Sequence, residues 1–98
     1  MGTTLFLVFR DPGPCWVRGR STREQAGWEE HALFMDRIFE QGRIVLAGPY
    51  ADHSRVLLII QASNRDEAAH LLDGDPWNAA GILGPPEVIE WKVFLDSR

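Results

Sequence analysis

Three histidines, one cysteine and fourteen carboxylates are the residues in this chain with reactive side chains. Near neutral pH a histidine is the side chain best suited to accept a proton, provided a partner holds its ring in one tautomer. His31 is the candidate. Trp28, His31, Met35, Ile38 and Phe39 recur at helical spacing, so His31 shares an apolar stripe and its ring points inward. A carboxylate beside it would fix the tautomer and leave a general base, and Asp75, in Gly74-Asp75-Pro76-Trp77, is the candidate carboxylate. Each residue has a plainer reading. A stripe histidine is satisfied by one backbone carbonyl, and Asp before Pro is a common turn or N-cap pair. On the residues alone, the plainer readings take precedence.

Other chemistries find less support. His31, His53 and His70 have no short ligand spacing, and His70 falls opposite the leucines of its helix, so no metal is expected. Cys15, the single cysteine, lies between Pro14 and Trp16 with no signature of an activated thiol, and it cannot form an intrachain disulfide. A reducing cytoplasm fits it best. There is no G-x-G-x-x-G or Walker pattern and Gly48-Pro49 is not a phosphate loop, so no cofactor is expected. Arg18, Arg20 and Arg23 could rim a pocket walled by Trp16, Trp28, Tyr50 or Trp77; such arginines are more often solvated or paired with Glu24, Glu29 or Glu30.

The elements that must carry these residues follow from hydrophobic pattern. From Thr3 to Arg10, Leu5, Leu7 and Phe9 alternate with Phe6 and Val8, which predicts a central strand apolar on both faces. Asp11 to Gly27 reads as a long loop, a length that tends to be functional. Trp28 to Gln41 is a helix closed by Gly42, and Ile44 to Ala47 a short strand ending at Gly48-Pro49-Tyr50. After a polar turn, Val56 to Ile60 is the second central strand. Asn64 and Glu67, at capping-box spacing, start a short helix that buries Ala68, Ala69, Leu71 and Leu72. An irregular segment then runs to Pro86, and Val88 to Leu95 alternates as a half-exposed edge strand with Ile89, Trp91, Val93 and Leu95 on one side.

The order βαββαβ, with two doubly apolar strands and two edge-like ones, predicts an α+β, ferredoxin-like domain with a four-stranded antiparallel sheet ordered 4-1-3-2. With 98 residues the chain is expected to form a single domain, 1–98. Two helices cover only one face of such a sheet. The apolar other face predicts a homodimer packed through it. With 45% hydrophobic residues and no apolar run near the roughly 18 needed to span a bilayer, no membrane association is expected. The start of the chain lacks a basic segment and cleavage site, so no signal peptide is expected, and Phe6 stands where a myristoylation pattern wants Ser or Thr. A formal charge of −4 and a pI near 5.2 leave no basic field for nucleic acid.

Taken together, Trp28-Glu29-Glu30-His31, Phe34-Met35 and Gly42-Arg43-Ile44-Val45-Leu46-Ala47-Gly48-Pro49 resemble the YCII-related domain family, in which a helix histidine precedes a Gly...Ala-Gly-Pro strand. Glu67-Ala68-Ala69, Asp75-Pro76-Trp77, Gly81 and the closing strand through Trp91 are similar to the family's second half. The resemblance implies a dimeric α+β barrel-like assembly, with a His and an Asp near a pocket in each subunit, falling on His31 and Asp75. It also implies cofactor-free lyase or isomerase chemistry on small hydroxylated or chlorinated aromatic rings, with His31 as base, Asp75 orienting it, and Trp28, Tyr50 and Trp77 as apolar walls. Many members carry an Arg three residues before the histidine, where this chain has Trp28; Arg23 is the nearest substitute. Two other readings are a non-catalytic dimeric module that binds a small ligand or recruits a partner, and an oxygenase that uses no bound cofactor.

Overall fold

The computed structural model describes residues 4–98; Met1, Gly2 and Thr3, the last of which opens the expected first strand, lie outside the described residues. The elements are β1 (Thr4–Arg10), α1 (Trp28–Glu40), β2 (Ile44–Pro49), β3 (Val56–Ala62), α2 (Arg65–His70), α3 (Pro76–Ala79) and β4 (Glu87–Trp91). A 3-10 turn, Thr22–Glu24, interrupts the long loop. All neighbouring strands are antiparallel and the sheet order is β2-β3-β1-β4, which is the 4-1-3-2 order expected from the apolar pattern.

Alternation in the two central strands divides the sheet into two faces. Phe6 and Val8 of β1 and Leu58, Ile60 and Ala62 of β3 point to one side, where they form the core with Ile38, Ile44, Ala68, Leu72 and Val88. Leu7, Ile59 and Ile89 lie in register on the opposite face, which no helix among the described residues covers. A bulge in β2 sets Ile44 beside Ile60 on the core side and Leu46 beside Ile59 on the open side, where Leu46 is 65% exposed. Leu46, Ile89 and Trp91 thus give that face an apolar, water-exposed surface.

α1 begins after Gly27, whose φ of 74° is left-handed, and an added Cβ there would stand 3.3 Å from the Trp77 indole nitrogen. It ends in a Schellman motif: Gly42 N–H donates to the Phe39 carbonyl and Arg43 N–H to that of Ile38. Phe39, expected on the buried stripe, is 57% exposed; only His31 and Ile38 of α1 are fully buried. At α2 the Asn64 side chain accepts from Glu67 N–H, while the Glu67 carboxylate reaches back to Ser63 N–H instead of Asn64. The irregular segment contains the four-residue helix α3, with Asp75 as N-cap and Pro76 in its first turn. β4 stops at Trp91, so Val93 and Leu95 do not extend it.

The long loop is tied down at both ends of its first half. Gly13 N–H and Cys15 N–H donate to the carbonyls of Ile82 and Gly81, each at 2.8 Å, and Gly84 N–H returns a bond to Asp11. Farther along, the buried Gln25 side chain accepts from Val17 N–H and donates to the Val17 and Arg20 carbonyls. No helix is long and apolar enough to cross a membrane among the described residues.

Candidate functional site

Three elements converge on Asp75. Its N-cap position makes Oδ1 accept from Trp77 N–H at 2.9 Å, which fixes the carboxylate at the start of α3. From α1, His31 Nδ1 lies 2.9 and 3.0 Å from the two carboxylate oxygens. From the end of β1, Arg10 Nη1 donates to Oδ2 at 3.2 Å. The Asp75 side chain is 1% exposed, Arg10 2% and His31 10%, so water contributes little to holding these charges. The same carboxylate caps α3 and contacts the His31 ring.

Arg10 is the residue that sequence reasoning missed. It has the inward parity of Phe6 and Val8, and an arginine at such a position must find buried acceptors. That parity was the available signal. Its Nε and Nη2 donate to the Gly84 carbonyl at 3.0 and 2.7 Å, and Nη2 also meets Asn78 Oδ1, whose amide nitrogen in turn donates to the Leu72 carbonyl. Burial pulls the Arg10 pKa down from its ordinary value and the Asp75 charge opposes that shift. No buried side-chain nitrogen or oxygen among the described residues lacks a hydrogen-bond partner.

The His31 ring is also held through its face. It lies parallel to the Trp77 indole, with centroids 3.9 Å apart and planes within 6°. Trp77 is 1% exposed, anchored by its indole N–H to the Ala26 carbonyl at 2.7 Å, and it meets Trp28 and the edge-on Trp16. Trp28 stands 5.6 Å from the His31 ring, and the Arg23 guanidinium sits over Trp28 at 5.8 Å. Of the expected wall residues, Trp28 and Trp77 therefore gather at His31 and Arg23 borders them. Tyr50 lies elsewhere: it lines a groove on the open sheet face with Leu46, Gly48, Leu57 and Ile59.

These contacts define what the pair can do. With Asp75 ionised, the neutral His31 ring carries its proton on Nδ1 and donates it to the carboxylate. Nε2 then holds a lone pair, bonds to no described residue, and reaches solvent, since no buried unpartnered nitrogen occurs. Among the described residues no cluster of three His, Cys, Asp or Glu side chains is placed to hold a metal ion.

The structure is an α+β unit with a four-stranded antiparallel sheet, the class of fold that the sequence pattern implied. The profile of the YCII-related domain matches residues 4–92, and the chain belongs to that family. It is similar to an uncharacterized protein of Bacillus subtilis, YjpA, with 32% identity over 63 residues, which span 64% of this chain and 73% of the relative.

Proposed function

We propose that His31 and Asp75 form the general-base pair of a small-molecule enzyme that needs no bound cofactor and performs lyase- or isomerase-type chemistry on hydroxylated or chlorinated aromatic compounds. The observation that supports this most is the buried contact of His31 Nδ1 with both Asp75 oxygens, which leaves Nε2 as the free basic atom. Asp75 orients the ring and stabilises the imidazolium that forms when Nε2 takes a proton from an acidic carbon or a phenol. Arg10 and Trp77 N–H hold the carboxylate so that it cannot follow the ring if the ring moves. Trp28, half-buried beside His31, offers the nearest apolar surface to a ring substrate.

The working unit in this proposal is a cytoplasmic homodimer with the two open sheet faces packed together as an α+β barrel. Its support is the set of apolar residues Leu46, Ile89 and Trp91 left exposed on the side of the sheet opposite the core.

The test is turnover of a panel of hydroxylated and chlorinated aromatic acids by wild type, His31→Gln and Asp75→Asn. A competent substrate is expected to lose at least about 100-fold in kcat with His31→Gln, within the usual range for removing a general base. Unchanged turnover in a folded His31→Gln protein would exclude the base role.

A further inference from the structure

A cleft of about 710 Å³ lies between the long loop and the β2–β3 turn, lined by Trp16, Arg18, Arg20, Glu24, Asp52 and His53 among others. Neither His31 nor Asp75 borders it. We propose that this cleft is a second small-molecule site, which takes a singly charged aromatic acid.

His53 supplies the first argument. It is the one non-glycine residue with positive φ, 60°, among the described residues. Such a conformation persists only where its surroundings hold it. Here the Tyr50 carbonyl accepts the His53 N–H, and Thr22 N–H and Oγ1 lie 3.2 and 2.9 Å from Nδ1. A backbone N–H can only donate, so Nδ1 is an acceptor and the ring proton sits on Nε2. Nε2 bonds to no described residue and is not buried without a partner, so this N–H is an open, neutral donor on a lining residue.

The charges supply the second argument. Arg10, Arg43, Arg55 and Arg98 each pair with a carboxylate, whereas Arg18 and Arg20 make no ion pair or side-chain hydrogen bond with a described residue. Two guanidiniums and an imidazole N–H suit an oxyanion. Glu24 and Asp52 limit its charge. Hydrogen bonds from the Ser21 N–H and hydroxyl hold the Glu24 carboxyl, and from the Ser54 hydroxyl and N–H the Asp52 carboxyl, below the usual range, so both are ionised at neutral pH. The two guanidiniums and two carboxylates sum to zero, so a carboxylate monoanion adds one uncompensated charge whereas a phosphate dianion or polyanion adds two or more. Trp16, fixed edge-on against Trp77, adds a flat apolar wall for a ring.

The experiment is an amide and indole NMR titration of the full chain with benzoate, its neutral analogue benzamide, and inorganic phosphate. Benzoate is expected to shift the Gly19, Ser21 and His53 amides and the Trp16 indole N–H. The exposed pair Arg18→Gln/Arg20→Gln is expected to weaken benzoate at least tenfold with a folded spectrum, and His31→Gln to leave it unchanged. Absence of binding, or full affinity in the double arginine variant, would overturn the site. Equal response to benzamide or phosphate would overturn the ligand class, and loss in His31→Gln would return the cleft to the first site.

Discussion

Asp75 accepts from a backbone N–H, an arginine and an imidazole at once, so its substitutions separate stability from chemistry. Replacing it with alanine strands the Arg10 charge in a place that is 2% exposed, and breaking a buried pair in this way costs about 3–5 kcal/mol. His31→Gln removes one hydrogen bond and a stacked ring and is expected to cost about 1–2 kcal/mol. Urea denaturation of the two variants should rank them in that order; the reverse order would mean that Arg10 is satisfied without Asp75. The sequence made both members visible as candidates, because a stripe histidine and an Asp-Pro pair each carry local signals. Their pairing across 44 positions was legible through the family resemblance alone, since nothing local encodes which loop end meets which helix face. Arg10 stayed hidden for a different reason: it closes a strand, where a polar residue ordinarily marks the exit to solvent.

The loop is positioned by backbone contact, and Gly13 is where that contact is tightest. A Cβ on Gly13 would stand 2.3 Å from the Gly81 carbonyl oxygen, with backbone that cannot yield cheaply. Gly13→Ala is therefore expected to cost about 1–3 kcal/mol and to speed hydrogen exchange at the Gly13 and Cys15 amides, which bridge to Ile82 and Gly81. Gly48→Ala, whose added methyl meets nothing within 4 Å, is the control. Long runs such as Val56 to Ile60 and the α1 stripe were readable because burial repeats along them. α3 was not, since four residues carry no periodicity and its Asp-Pro start is also a turn signal. Val93 and Leu95 continue the alternation of β4, but the ladder with β1 closes at Leu5 and Trp91.

A sheet with its described helices on one side leaves the other apolar face without helix cover, and the doubly apolar β1 and β3 already implied this in the sequence. Sedimentation equilibrium at micromolar concentration is expected to give twice 11.1 kDa for the wild-type chain. Ile59→Glu, which places a charge on that face beside Leu7 and Leu46, should give a monomer. A monomeric wild type would remove the dimer from the proposed function and leave the His31 pair intact, because both of its members, and Arg10, come from one chain.

The parallel stack of His31 on Trp77 has an optical consequence. An imidazolium quenches an adjacent indole far more than a neutral imidazole does, and these rings are in van der Waals contact. Trp77, shielded from water at 1% exposure, is expected to emit to the blue of the 40% exposed Trp91, and Trp16→Phe/Trp28→Phe would isolate its signal from the two indoles beside it. The stack thus supplies a fluorescence test of the proposed base role: proton transfer to His31 is expected to quench Trp77 in stopped flow, and an unchanged signal during turnover would count against it.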